Sequence, residues 1–457
     1  MAGVVKPSVM KMKLIFTLLL LGLLLLHGSA QPPSAIRLIT LQECIDLAIG
    51  NSPKIQNSIL EQQRLRYQYR ETVGKGLPEI QFSGSFDDFV NLPTQLIPGE
   101  FFGRPGEMIP VQFGTTYNIT GALEASQLIY NQSYLVGLQM ARKMLERNTL
   151  ETERTKIDVA ATVSTGFYLA QIASQQIRNL KDNLEKLNRL YTISRSQFEM
   201  GFIKKVDVDR IRVNQLNLQT QIDNLEVQYR QLLSMQKYYM GLPEEQEIMF
   251  PDSIDVETVL PSPEINLDNH IDIRMLEKQK QIIHTSLQMN RSEYYPSLIL
   301  IGSVNYTNQS NDFYLFGKPT DWFNTSMFGL RLNVPIFSGL QKRSRVNQTK
   351  VQMSQLQVTE SDTRRILSVQ AVDAARKYRN SITTEQRQRE NVLLAQNVYA
   401  VSQDQYQKGL ISMTDILNAE TSLNEAQTAH TIALVQMKIA EIDYLKASGL
   451  LLQTMNL

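Results

Sequence analysis

The sequence predicts an α+β membrane protein built from two structural repeats, and three observations carry that reading. The chain matches itself at a separation of 208 residues. Proline is absent from 111–242 and from 336–457, and because an interior proline costs ~3 kcal/mol, such absences mark long helices. Four segments of about ten residues alternate apolar and polar side chains, the period of half-buried strands.

The bulk numbers bound the class. The 457 residues carry 46 basic and 45 acidic side chains, so no electrostatic bias toward nucleic acid or acidic substrates exists. The N-terminus differs from the rest. Lys6, Lys11 and Lys13 precede the apolar run Leu14–Leu26, and Gly28-Ser29-Ala30 follows. A basic start, a short apolar centre and small residues read as a secretory signal over 1–30. Thirteen helical residues rise about 20 Å, short of a ~30 Å hydrocarbon core; an anchor helix is the competing reading. The mature chain is expected from Gln31. The single cysteine, Cys44 in LQECIDLAI, permits no intrachain disulfide and reads as a small apolar residue on a helix face.

The repeats follow in order. Aligning 191–242 with 399–450 gives twelve identities in 52 positions, among them Gly201/Gly409, Ile203/Ile411, Asp207/Asp415 and Gly241-Leu242/Gly449-Leu450. Upstream, LPEIQFSGSF (77–86) pairs with YPSLILIGSV (295–304), and GALEASQLIYN (121–131) with GLRLNVPIFSG (329–339) at the 208 offset. The first repeat, 31–240, is expected to hold a helix, strands 78–90 and 116–128, a long helix 132–200 and a helix 205–240. A linker over 241–268 carries Pro243, Pro251, Pro261 and Pro263. The second repeat, 269–457, is expected to hold a helix, strands 296–307 and 325–337, a long helix 340–408 and a helix 412–447. At 1.5 Å per residue each long helix would reach about 100 Å. After each turn the apolar spacing is heptad-like: Val208, Ile211, Leu218, Ile222, Leu225, Tyr229 and Leu232, with Gln215 in the gap, then Ile416, Ala419, Leu423, Ala426, His430, Ala433, Met437 and Ala440. Antiparallel coiled-coil packing and a soluble bundle core both fit that period.

In the strands, Ile80, Phe82, Gly84 and Phe86 share one face and Gln81, Ser83 and Ser85 the other. The pattern recurs in Leu298–Tyr306, Tyr117–Ala125 and Phe328–Val334. Length and dyad period suit transmembrane barrel strands. Aromatics such as Phe89, Phe101, Phe313, Tyr314, Phe316, Trp322 and Phe323 crowd the loops 87–116 and 307–324, in the manner of interfacial girdles. Soluble hairpins packed on helices are the alternative. Four strands cannot close a barrel, and open edges are not tolerated in lipid. Two copies would give eight strands with a filled interior; three give twelve and an open lumen. A homotrimer with one shared barrel is expected.

An enzyme is not indicated. His27, His270, His284 and His430 are scattered, no HExxH, CxxC, GxSxG or phosphate-binding glycine loop occurs, and neither cofactor nor metal is implied. A secreted or surface coiled-coil scaffold without a pore would explain the heptads and the signal but not two alternating hairpins.

These segments together resemble the TolC-type outer-membrane efflux protein family. LITLQECIDLAIGNSPKI (38–55) is similar to its opening helix, LPEIQFSGS, LIYN and VPIFSG (334–339) to its strand motifs, and GFIKKVDV and GLISMTDILNAETSLNEAQ to its repeated helix-turn-helix. The resemblance implies a trimeric twelve-stranded β-barrel in outer-membrane lipid above a twelve-helix periplasmic α-barrel, serving as the exit duct of a tripartite efflux or type I secretion system. It implies as partners a periplasmic adaptor (membrane fusion protein) and an inner-membrane pump. It also accounts for YQKGLISMTDIL (406–417), where a glycine and two apolar residues interrupt a helical pattern. Gly201, Phe202 and Ile203, and Gly409, Leu410 and Ile411, would form hairpin tips that dock the adaptor, since exposed apolar residues mark contacts. By the same resemblance Asp415 faces the pore as one of three carboxylates at a constriction. Asn418 stands where the family often has a second aspartate, and Asp207 is the counterpart in the first repeat. Either aspartate could instead cap its helix.

Overall fold

The computed structural model describes residues 37–251, 266–313 and 322–455. The segment 1–30, the linker residues 252–265, and Tyr314 and Phe316 lie outside them. Contacts group the chain into two compact units, Met1–Leu47 with Gly166–Val256, and Ala48–Thr165 with Glu257–Leu457.

Strand β1 (Arg37–Leu38) leads into α1 (Leu41–Asn51) and α2 (Pro53–Gly74). Thr40 starts α1 with a capping box: its amide donates to Glu43 Oε2 at 2.9 Å, and the Glu43 amide donates to Thr40 Oγ1 at 3.3 Å. Ser52 takes extended backbone, φ −59° and ψ 125°, because a following proline disfavours the helical region. Pro53 then serves as the first helical residue, whose N–H would go unused anyway. Next come β2 (Glu79–Asp88), β3 (Thr94–Pro98), β4 (Met108–Gln112), β5 (Tyr117–Asn131), the 68-residue α3 (Gln132–Glu199), α4 (Lys205–Met240) and β6 (Ile248–Met249). The second half holds α5 (Ile271–Ser292), β7 (Ser297–Ser310), β8 (Trp322–Asn333), the 67-residue α6 (Gln341–Gln407), α7 (Met413–Ala447) and α8 (Leu451–Thr454).

In the first unit β1 runs parallel to β6, Arg37 opposite Ile248. Phe167 and Phe250 pack with centroids 4.7 Å apart, and Ile39, Cys44, Ile45, Ile211, Ile222 and Met240 are fully buried. The α4 seam buries Val208, Ile211, Gln215, Leu218 and Ile222. Gln215 is accommodated there because its amide donates to Asn188 Oδ1 at 2.6 Å.

The second unit holds one antiparallel sheet in the order β2-β5-β7-β8. Its helices follow the same order. Ser58 and Gln62 of α2 bond Thr152 and Thr149 of α3; Lys278 and Arg274 of α5 pair with Glu146 and Glu153 of α3; Lys280 and Asn290 of α5 reach Glu360 and Thr349 of α6. Along the α6–α7 hairpin the alternating large and small seam is buried at Ile416, Ala419, Leu423, Ala426, Ala433 and Met437, while Tyr378 stacks on Tyr444 at 5.9 Å.

Three expectations are corrected. The loop 87–116 is not irregular throughout: β3 and β4 pair antiparallel within it, Leu96 opposite Pro110. Two strands alone are both edges, so Pro98 and Pro110 can face away from the ladder. The strand expected over 325–337 ends at Asn333, because Pro335 has no N–H to donate, and positive φ at Gly339 (58°) and Leu340 (63°) turns the chain into α6. Finally, the 208 offset does not hold through the strands. Gly84 lies opposite Gly121, but Gly302 lies opposite Phe328, so with β2 matched to β7 at 218, β5 matches β8 at 207. Alternation requires this, since Gly121 shares the apolar face of Ile119 whereas Gly329 shares the polar face of Arg331.

Burial pushes the Cys44 thiol up to about 12, so almost no thiolate forms at neutral pH. Native protein at pH 8 should therefore resist maleimide labelling for hours, with one equivalent incorporated on unfolding; intact-mass spectrometry reads the difference.

Candidate pore and docking site

Two features of the fold present chemistry outward: the sheet and the helix turns. The apolar face of the sheet has no cover among the described residues. Phe82 is 72 % and Phe328 78 % exposed, and Ile80, Leu330 and Leu332 are exposed beside them. The opposite face carries Ser83, Ser85, Glu124, Arg331 and Asn333. Among the described residues β2 and β8 each have one unpaired edge. At one strand end Phe86, Tyr117 and Phe313 form an aromatic cluster, with centroids 5.4–6.2 Å apart. No helix among the described residues is long and apolar enough to cross a membrane.

The two turns share one hydrogen-bond pattern. The Gly201 amide donates to Phe198 O and the Phe202 amide to Gln197 O, both at 2.9 Å. The Gly409 amide donates to Tyr406 O and the Leu410 amide to Gln405 O, again at 2.9 Å. These are Schellman closures, which need a left-handed residue after the helix. Gly201 at φ 82° and Gly409 at φ 72° supply it. The residue after each glycine projects away from its hairpin: Phe202 is 75 % and Leu410 69 % exposed. Ile203 and Ile411 are half-buried instead. Met200 and Val206, near Phe202 in the chain and without a repeat signal of their own, are exposed apolar side chains as well.

Beyond the second turn Ser412 and Asp415 form a capping box. The Ser412 amide donates to Asp415 Oδ2 at 2.9 Å, the Ser412 hydroxyl bonds the same oxygen at 2.6 Å, and the Asp415 amide donates to Ser412 Oγ at 3.3 Å. Hydrogen bonds from the Ser412 hydroxyl and amide hold the Asp415 carboxyl below the usual carboxylate range. Asp415 and Asn418 are exposed and, three residues apart, share one face of α7. The first turn lacks this device, since Lys204 offers no side-chain acceptor. Asp207 there is half-buried, 3.7 Å from Arg210 Nη1, and its charge lies in the first turn of α4, where the helix dipole favours it.

An open-edged sheet with an outward apolar face, joined to helices far longer than a globular domain needs, defines a membrane-embedded channel subunit with a helical extension. Comparison with known proteins agrees. The model of the outer membrane efflux protein family matches residues 44–234 and again 263–450, once in each repeat, and the chain belongs to that family. It is an outer-membrane efflux channel with a helical periplasmic part, and the family match sets aside the pore-less scaffold. It is 20 % identical over 429 residues to the probable efflux pump outer membrane protein TtgC of Pseudomonas putida, covering 90 % of this chain and 82 % of that one. The solved structure of CusC superposes with a TM-score of 0.72 at 16 % identity, covering 93 % of this chain and 95 % of that one. VceC of Vibrio cholerae superposes with a TM-score of 0.70 at 13 % identity, covering 90 % and 96 %.

The lowered Asp415 carboxyl ties the start of α7 to pH. A depressed folded-state pKa contributes stability that is complete above the ordinary carboxylate value of ~3.9 and is lost as pH falls through the lowered one. Amide exchange in the first turn of α7, corrected for intrinsic rates, should stay level from pH 7 to about 5 and open below about 4. Ser412→Ala should open the same turn several-fold at neutral pH.

Proposed function

We propose that three copies join their four strands into one twelve-stranded barrel and serve as the exit duct of a tripartite efflux system. A periplasmic adaptor would dock on the hairpin ends, and an inner-membrane pump would supply the energy. The observation that carries the reading is the unfinished sheet. An exposed backbone edge costs several kcal/mol per unsatisfied group in lipid, so β2 and β8 need partners. With four antiparallel strands the two edges run in opposite directions, and β8 of one copy can accept β2 of the next in antiparallel pairing. Repeated three times, that contact closes a ring.

The adaptor contact rests on the turns. Phe202 and Leu410 are large apolar side chains held out by rigid closures, the form of a pre-organised contact point. Gly201 and Gly409 set the geometry, and Ile203 and Ile411 support it from within each hairpin. Asp415, Asn418 and Asp207 are proposed to line the constriction of the duct. Three copies of Asp415 would gather negative charge and favour cations. Capping and lining are compatible, because one carboxylate oxygen accepts the Ser412 bonds and the other is left to face solvent.

Native mass spectrometry in detergent should give three times the chain mass; a monomer would remove the shared barrel. Phe202→Asp combined with Leu410→Asp should reduce efflux by at least tenfold with the trimer intact, and unchanged efflux would show that docking lies elsewhere. In planar bilayers Asp415→Ala should lower the cation-to-anion permeability ratio several-fold if the carboxylates line the constriction.

A further inference from the structure

The seam inside one chain contains a template for the seam between chains. Resting on the trimer proposed above, we infer that β8 and α6 of one copy seat on β2 and α2 of the next in the register that β5 and α3 already keep with β7 and α5. The repeats are joined head to tail: the second strand and long helix of the first repeat, β5 and α3, contact the first strand and short helix of the second, β7 and α5. The elements one repeat further along are β8 and α6, and the next copy's β2 and α2.

The register can be worked out residue by residue. Helices α2 and α5 are each 22 residues long and begin 218 apart, the same offset that relates β2 to β7. The long helices α3 and α6 end 208 apart, and β5 maps to β8 at 207. Inside the chain Leu123 lies opposite Val304; the transferred pair is Leu330 opposite Phe86 of the next copy. Lys143 Nζ bonds Thr285 Oγ1 at 2.7 Å; the transferred pair is Val351 with Tyr67. Arg154 pairs with Asp272 at 3.4 Å; the transferred pair is Asp362 with Lys54.

Three independent features of the side chains agree with this assignment. The strand pair joins apolar to apolar, whereas a shift by one residue would set Leu330 against a polar-face position. The helix pair joins two large exposed apolar groups, Val351 at 58 % and Tyr67 at 66 % exposure, where the internal seam uses a hydrogen bond. The ion pair is retained with its signs exchanged. Lys54 and Asp362 are both exposed and have no ion-pair partner among the described residues. The transferred face of α6 is open at 351, 354, 358, 361, 362 and 365, while 353, 356, 360, 363 and 364, on the side toward α5, are half-buried. A second copy of this chain therefore meets apolar residues with apolar residues and acid with base along both layers.

Cysteine cross-linking tests the register in the full-length protein, where buried Cys44 takes no part. Phe86→Cys with Leu330→Cys should give covalent trimers after copper-phenanthroline oxidation, at least tenfold more than Phe86→Cys with Phe328→Cys or with Leu332→Cys. Tyr67→Cys with Val351→Cys should behave likewise, and the single variants should not link. In a separate arm Lys54→Glu or Asp362→Lys alone should lower the trimer fraction at the dissociation midpoint in detergent, and the two together should restore it. A native trimer whose strongest link falls at 328 or 332, or a double variant no better than the singles, overturns the register and leaves the trimer standing. A wild-type monomer by native mass spectrometry overturns the trimer and the seam together.

Discussion

Everything in this molecule follows from the hydrogen-bonding demand of a strand edge in lipid. Each strand brings an amide and a carbonyl per residue, and hydrocarbon offers neither donor nor acceptor. Among the described residues the four strands make three junctions with one another and leave an edge open at β8 on one side and at β2 on the other. The apolar face is committed in the same way: Phe82, Leu330 and Phe328 find no cover among the described residues. Neither an edge nor an apolar face of this size is stable in water. The sheet thus specifies both its solvent and its need for further copies.

The helices solve a different problem, that of reach without a globular core. Each hairpin buries a heptad stripe, and α7 buries further residues beside it at Leu417, Leu434, Lys438, Glu441 and Leu445. Buried polar residues are retained where a partner exists, as with Gln215 on Asn188 and Glu385 on His430 at 3.1 Å. A stripe of this kind fixes the register of two helices over many turns. The Schellman closures then end the long helices at defined residues, so Phe202 and Leu410 stand at fixed points instead of on loose loops. Rigid turns and narrow seams belong to the same design, in which position is specified along the helix axis.

Much of the architecture could be read from the residues, because its periods are strong. The alternation through Ile80, Phe82 and Phe86 and the hundred-residue gaps in proline leave few other readings. The hairpin β3–β4 escaped because Pro98 and Pro110 argue against strands, and only pairing as two lone edges tolerates them. β1 and β6 are two residues each, too short for any period. The match of β5 to β8 is legible too, since Gly121 and Gly329 sit on opposite faces of the alternation. At the turns the glycines were legible, but which neighbour would be exposed was not. That depends on the direction in which the closure sends the chain, and it favours Phe202 and Leu410 over Ile203 and Ile411. The Ser412-x-x-Asp415 spacing was a readable capping signal, absent from the first turn where Lys204 takes the serine's place.

The exchange of charge between the two seams bears on specificity. A chain built from two similar repeats faces a hazard, because either repeat could dock on the wrong counterpart. Arg154 on α3 faces Asp272 on α5, while Asp362 on α6 is left to face Lys54 on α2. If α6 of one copy were to take α5 of another, Asp362 would meet Asp272. If α3 were to take α2 across copies, Arg154 would meet Lys54. Each wrong junction brings like charges together, and each right one brings opposites. Exposed ion pairs contribute little to affinity, roughly 0–1 kcal/mol, but like charges held in contact penalise an alternative directly. Apolar matching at Leu330–Phe86 and Val351–Tyr67 then supplies the adhesion, and the inverted charges decide which repeat may follow which around the ring.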